Sequence, residues 1–175
     1  MQKKQISCKL IGGLGNQLFQ VATTLAYSYQ HSFQPIFEKT TESPSKFKNR
    51  STYWNAYLHR LNTVNKEKLK NFTLHEEPQF TYTPLPLFSE NTILSGYFQS
   101  HYYFEEYKNK ILDQLKLPDT LLNSIHAKYN HILTLPKTVA IHIRRGDYLK
   151  LKSYHPVLSQ SNFFQNAITH FPENT

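Results

Sequence analysis

The sequence predicts an α/β chain, and three observations carry that expectation. Residues 5–11 alternate apolar Ile6, Cys8 and Leu10 with Ser7 and Lys9, then run into the turn Gly12-Gly13-Leu14-Gly15-Asn16 and a stretch of apolar residues at helical spacing. Much later a second apolar stretch, Val139-Ala140-Ile141-His142-Ile143, ends on Arg144-Arg145-Gly146-Asp147. Between them strand-like and helix-like patterns alternate, which is the signature of a sheet crossed by helices. Both motifs sit at strand ends, where open α/β sheets bind their ligands. Two βα units so far apart along the chain fit two domains facing across a cleft.

The elements follow in order. Leu18, Val21, Ala22, Leu25, Ala26 and Tyr29 recur at helical spacing, and no charged residue falls between Gln17 and Gln30. That predicts a largely buried helix. Residues 33–37 read as a second strand and residues 38–50, with Pro44, as a loop. Tyr53, Trp54, Tyr57, Leu58 and Leu61 have helical spacing. Residues 72–75 read as a strand, while Pro78, Pro84 and Pro86 keep residues 76–87 from forming a long element. A strand is expected over 92–98. A helix is expected over 100–115, with Tyr103, Phe104, Tyr107, Ile111 and Leu115 facing inward. Asp119 or Thr120 caps a further helix to residue 129, residues 130–137 form a junction, and a last helix covers about 161–170.

Bulk properties narrow the function. The chain has 175 residues, with 39% hydrophobic and 14% aromatic content, enough for a real core. The formal charge of +8 admits nucleic acid, an acidic membrane or a nucleotide as partner. The lysines are scattered and the aromatics fall at core spacing, so a nucleic-acid binder ranks last. The single cysteine, Cys8, excludes an internal disulfide and reads as a small buried hydrophobe. With no signal-like apolar run and no membrane span, a cytoplasmic location is expected, with membrane association left open.

The two motifs point to a phosphate-bearing ligand. Three of the five glycines lie in the first turn. It is not the dinucleotide fingerprint, since Leu18 stands at the third glycine position, nor a P-loop. It exposes backbone N–H groups at a helix start and offers Asn16, a place for a phosphate or a sugar hydroxyl. The alternative is a plain strand-to-helix turn with Asn16 as N-cap, and the two readings are compatible, with a ligand role for Asn16 favoured. Adjacent guanidiniums at Arg144 and Arg145 match phosphate oxygens with their forked donors. The alternative is a solvated strand end with Arg145 paired to Asp147.

The stretches Ile11-Gly12-Gly13-Leu14-Gly15-Asn16-Gln17-Leu18-Phe19-Gln20 and His142-Ile143-Arg144-Arg145-Gly146-Asp147-Tyr148 together resemble glycosyltransferase family 11, the α-1,2-fucosyltransferases. Ser95-Gly96-Tyr97-Phe98-Gln99-Ser100 followed by Tyr103-Phe104 is also similar to that family, as is the stretch from His155 to Ile168. The resemblance implies a GT-B architecture: a Rossmann-like N-terminal domain over 1–136 and the first βα unit of a GDP-fucose-binding domain over 137–175. It implies transfer of fucose from GDP-fucose to a galactose-terminated glycan with inversion. Arg144 would then hold the pyrophosphate, and His142 would contact the nucleotide or orient Arg144. Arg145 and Asp147 would shape the loop, and Gly13, Gly15 and Asn16 would form the turn that reaches donor or acceptor. No Asp-x-Asp and no His-Glu-x-x-His occurs, so no metal is expected, and the acceptor's base is unassigned. The family pattern normally continues beyond what this chain carries. That gives three further expectations: an incomplete donor site, little activity from the chain by itself, and self-association through the incomplete second domain. The competing expectation is a catalytically inactive module that binds carbohydrate or protein.

Overall fold

The computed structural model describes residues 3–45, 48–143 and 162–171. By its internal contacts the chain divides into two units, Met1–Leu122 and Asn123–Thr175.

The first unit is a parallel sheet with a helix against it. Strand β1 (Gln5–Cys8) pairs in parallel with β2 (Gln34–Pro35) on one side and β8 (Thr92–Ser95) on the other, and β8 pairs in parallel with β7 (Thr73–Glu76). The order is β2-β1-β8-β7. Beside it, β3 (Phe37–Glu38) pairs in parallel with β6 (Thr63–Val64), while β4 (Glu42–Ser43) and β5 (Arg50–Ser51) form an antiparallel hairpin. Helix α1 (Leu14–His31) returns the chain from β1 to β2. This mixed α/β arrangement around a parallel sheet is that of a Rossmann-like domain.

Its core follows from the apolar pattern. Ile6, Val21, Leu58, Leu94 and Phe98 are fully buried, and Leu25, Ala26, Ile36 and Phe37 nearly so. Each such side chain contributes roughly 1.5–3 kcal/mol by leaving water. All four residues of β1 are buried, including Gln5 and Ser7, which the alternating pattern placed outward. A central parallel strand has both faces covered, so burial replaces alternation.

Several elements differ from the sequence expectation, each for a local reason. Strand β1 stops at Cys8 rather than residue 11 because a side chain takes over as partner: Ile11 N–H donates to Gln20 Oε1 (2.9 Å) and Gln20 Nε2 donates to Ile11 O (3.1 Å). The expected strand over 33–37 divides in two. Ile36 N–H still donates to Ile6 O, but Phe37 N–H switches to Asn62 O, and Pro35 between them has no N–H to offer. The 38–50 loop contains the β4–β5 hairpin. Residues 53–61 form turns, not a helix. Ala56 N–H reaches back three residues to Tyr53 O while Leu58 N–H reaches back five to the same carbonyl, so no regular ladder develops, yet Leu58 and Leu61 still bury. The 100–115 segment opens with two short 3₁₀ turns at residues 101–103 and 105–107, separated by Phe104 at φ −143°. Regular helix α2 covers only Lys108–Gln114. Aromatic side chains lose rotamer freedom against the preceding turn of an α-helix, so the run there gives a regular α-helix little support.

Helix α3 (Asp119–Leu133) leads from the first unit into the second and runs past the expected end at residue 129. In the second unit, residues 138–143 carry no strand, contrary to the expectation for Val139–Ile143. A strand exists only when a neighbour completes its hydrogen bonds, and every paired strand among the described residues lies at or before Ser95. Helix α4 spans Phe163–Ile168, shorter than the expected 161–170. Among the described residues no helix is long and apolar enough to cross a membrane.

Candidate functional site

The carboxyl ends of β1 and β8 meet at two loops. Gly12 adopts φ 81°, a left-handed conformation that favours glycine, and the Asn16 side chain occupies the place a Cβ at Gly12 would take. Gly12 N–H donates to Pro44 O (2.8 Å), and its carbonyl accepts from Ser43 Oγ (2.6 Å) and Gln17 Nε2 (2.9 Å). The fully buried Gln17 also donates to Ser51 O (3.0 Å). One amide therefore ties the glycine turn to both strands of the β4–β5 hairpin.

Helix α1 begins at Leu14 with Gly13 as N-cap, and no side chain caps it. Its first backbone bond is Gln17 N–H to Gly13 O (3.0 Å). Asn16 is thus not the cap but the third helical residue, and its Oδ1 accepts from Gln99 Nε2 at 2.7 Å. Gly13 and Gly15 have open space where a Cβ would project. Their missing side chains leave the helix start uncovered, and first-turn N–H groups with the positive end of a helix dipole are suited to an anion.

The second loop is equally constrained. Glu77 accepts hydrogen bonds from Tyr97 N–H (2.7 Å) and Phe98 N–H (3.0 Å), and its side chain fills the space a Cβ on Gly96 would need. Phe98 is fully buried at φ 50°, a strained conformation for a bulky residue. The strain turns the chain so that Gln99, next along, meets Asn16. Around the ends of β1 and β3, Lys9, Glu38, Glu42 and Lys66 bring both signs of charge to a largely apolar cavity of about 290 Å³.

Of the residues the sequence singles out, Gly13, Gly15 and Asn16 lie together at this edge. His142 is exposed and belongs to the second unit. Arg144, Arg145 and Asp147 lie outside the described residues, so the expected approach of Asn16 and Arg144 across a cleft does too. The sequence reading passed over Gln17, Gln20, Ser43 and Glu77. Their signal was present in part: two amides inside an otherwise apolar helix need buried partners. Among the described residues no group of three or more His, Cys, Asp or Glu side chains gathers as a metal site. Cys8 is buried and its thiol is pushed up to about 12 by burial, against a smaller lowering from the Thr24 hydroxyl, so it is no nucleophile at neutral pH.

Three comparisons bear on this arrangement. The family model described as Glycosyl transferase family 11 matches residues 1–175. Among curated proteins and among solved structures, none matches the chain.

Proposed function

The chain belongs to glycosyl transferase family 11, a family of fucosyltransferases, and from that premise we propose that it transfers fucose from GDP-fucose to a galactose hydroxyl, forming an α-1,2 linkage with inversion. The acceptor oxygen attacks the anomeric carbon, the bond to the diphosphate breaks, GDP leaves, and the acceptor's hydroxyl proton passes to a base. Negative charge grows on the leaving diphosphate as the sugar acquires oxocarbenium character. Fixed donors aimed at that charge are the largest source of stabilisation available to such a reaction.

In this reading Arg144 grips the pyrophosphate, and His142 contacts the nucleotide or orients Arg144. Arg145 and Asp147 shape the loop. The open first turn of α1 at Gly13 and Gly15, with Asn16, supports contact with a donor phosphate or an acceptor hydroxyl from the carboxyl edge of the sheet. The observation that carries the proposal is the family match along the whole of residues 1–175.

A second reading, a module that binds glycan without turnover, is favoured by one feature. No described residue of 123–143 or 162–171 is buried. Incubating the chain with labelled GDP-fucose and a β-galactoside separates the two. Fucose on the galactose 2-hydroxyl, identified by NMR of the product, supports the transferase. Glycan binding with no labelled product supports the module, and label on another hydroxyl overturns the proposed linkage.

A further inference from the structure

We propose that a track of aromatic rings leading away from the Asn16–Gln99 edge is the subsite for the body of a neutral oligosaccharide acceptor; the name of the sugar rests on the transferase reading, the track itself on geometry. The track starts at Phe80 and Tyr97, whose rings stack with centroids 5.9 Å apart and planes 15° from parallel. Beneath the surface the fully buried Phe98 meets Tyr103 edge-on at 5.4 Å and anchors it to the core. Tyr103 meets Tyr82 at 4.9 Å, and Tyr82 meets Tyr102 at 5.5 Å. Phe80 is 73% exposed and Tyr102 60%. Phe80, Tyr82 and Tyr102 are thus large rings held in the open over a support of core residues, the mark of a binding surface.

The surface is built, not frayed. Glu77 pins the Tyr97 and Phe98 amides, Phe98 is held at positive φ, and Thr83 N–H donates to the Tyr103 hydroxyl at 3.2 Å. At its far end Tyr82, Tyr102 and Tyr103 border a cavity of about 250 Å³, with Gln30, Glu105 and Glu106 on its wall. That is below the roughly 300–1,000 Å³ of a drug-sized site and suits one sugar unit.

The chemistry selects the occupant. Flat rings cover the C–H face of a pyranose, while tyrosine hydroxyls, an amide and carboxylates accept and donate to its hydroxyls. The acidic groups along the track, Glu77, Glu105 and Glu106, oppose a diphosphate, in a chain whose net charge is +8. The nucleotide sugar is therefore excluded from this surface, and an uncharged polyhydroxylated chain fits it. Tyr97 lies two residues before Gln99, whose side chain bonds Asn16, so the first ring pair and the Asn16–Gln99 edge belong to one loop.

Saturation-transfer NMR on the full chain tests this, with galactose, a galactose-terminated tetrasaccharide and GDP-fucose as separate probes. Saturation should reach the inner sugars of the tetrasaccharide. Phe80→Ala and Tyr102→Ala should each weaken its binding roughly three- to tenfold while leaving the thermal midpoint unchanged. Unchanged affinity in both variants, or no saturation of the tetrasaccharide in the parent, overturns the proposal. Tetrasaccharide binding without GDP-fucose binding leaves the track standing and removes the transferase reading. Fucose transfer with the same KM for the tetrasaccharide in parent and Phe80→Ala does the reverse.

Discussion

The same residue pattern meets opposite fates in the two units. In β1, Ile6 and Cys8 are 0% and 4% exposed; in the second unit Val139, Ile141 and Ile143, just as strand-like in sequence, are 41%, 53% and 48% exposed. The difference is not in the residues. β1 has β2 on one side and β8 on the other, with α1 across it. Residues 138–143 have no such ladder among the described residues. β-branched side chains fit a pleated, half-buried surface, but the surface must be supplied by neighbours. Helix α3 repeats the lesson: it forms a regular helix, yet Leu121, Leu122, Tyr129, Ile132 and Leu133 along it remain exposed, at 37–57%. Helical hydrogen bonds are local and strand bonds are not, so the helix forms in a setting where the strand does not.

The contrast is sharpest in stability. Leu94→Ala, which empties a fully buried position in β8, should destabilise the chain by roughly 2–5 kcal/mol, while Ile132→Ala in α3 should change it by less than about 0.5 kcal/mol. Denaturant melts of the two variants decide it, and equal losses would mean that the second unit shares the first unit's cooperative core.

Next in size is the effect expected of the arginine motif. In a form of the protein that carries out the transfer, Arg144→Ala should lower it about 100-fold or more, as loss of one charge-stabilising donor does. Arg144→Lys should recover little of it, because an ammonium cannot reproduce the guanidinium fork. Initial rates with saturating acceptor measure this, and parental rates in both variants would show that the donor site lies elsewhere, moving the chemistry into the first unit.

Within the first unit, Gln17→Ala removes the buried amide that joins Gly12, Ser43 and Ser51 and leaves the Gly12 carbonyl to Ser43 Oγ alone. A loss of roughly 1–3 kcal/mol is expected, read as a lower unfolding midpoint, whereas Gln99→Ala at the exposed edge should cost far less. If the two cost the same, the glycine turn is held by its backbone alone.

The smallest effect at neutral pH comes from Cys8. Its folded pKa is raised by burial from 9.0 to about 12. Below pH 9 the thiol is neutral whether the chain is folded or not, so its stabilising contribution is fully present there. As pH climbs from 9 towards 12, the unfolded chain ionises first and that stability is lost. Native protein at pH 8 should resist a thiol reagent and react once denatured; rapid modification of the native chain would mean that β1 opens readily.

How much of this was legible in the sequence depends on how local the determining forces are. The glycine turn, the uncharged face of α1 and the parallel character of the sheet could be read directly, because spacing and φ demands are local. Of the three glycines in the turn only Gly12 needs its φ; Gly13 and Gly15 leave open space, which their spacing alone does not reveal. The ends of β1 and β2 were not legible, since Gln20 and Asn62 capture their backbone from a distance. Nor was the pairing of Asn16 with Gln99, which joins residues far apart in sequence through a turn that depends on the strained φ of Phe98.

The proposed function divides labour between the units, with donor binding assigned to the Arg144 segment and the acceptor side to the carboxyl edge of the first unit. Hydrogen exchange of the full chain, followed peptide by peptide with GDP-fucose and with a galactose-terminated oligosaccharide in turn, tests that division most directly. GDP-fucose should slow exchange in peptides spanning residues 139–148 and the Gly12–Asn16 turn, and the oligosaccharide in those spanning residues 77–83 and 97–104. Slowing by GDP-fucose confined to residues 77–104, with none in 139–148, would contradict it.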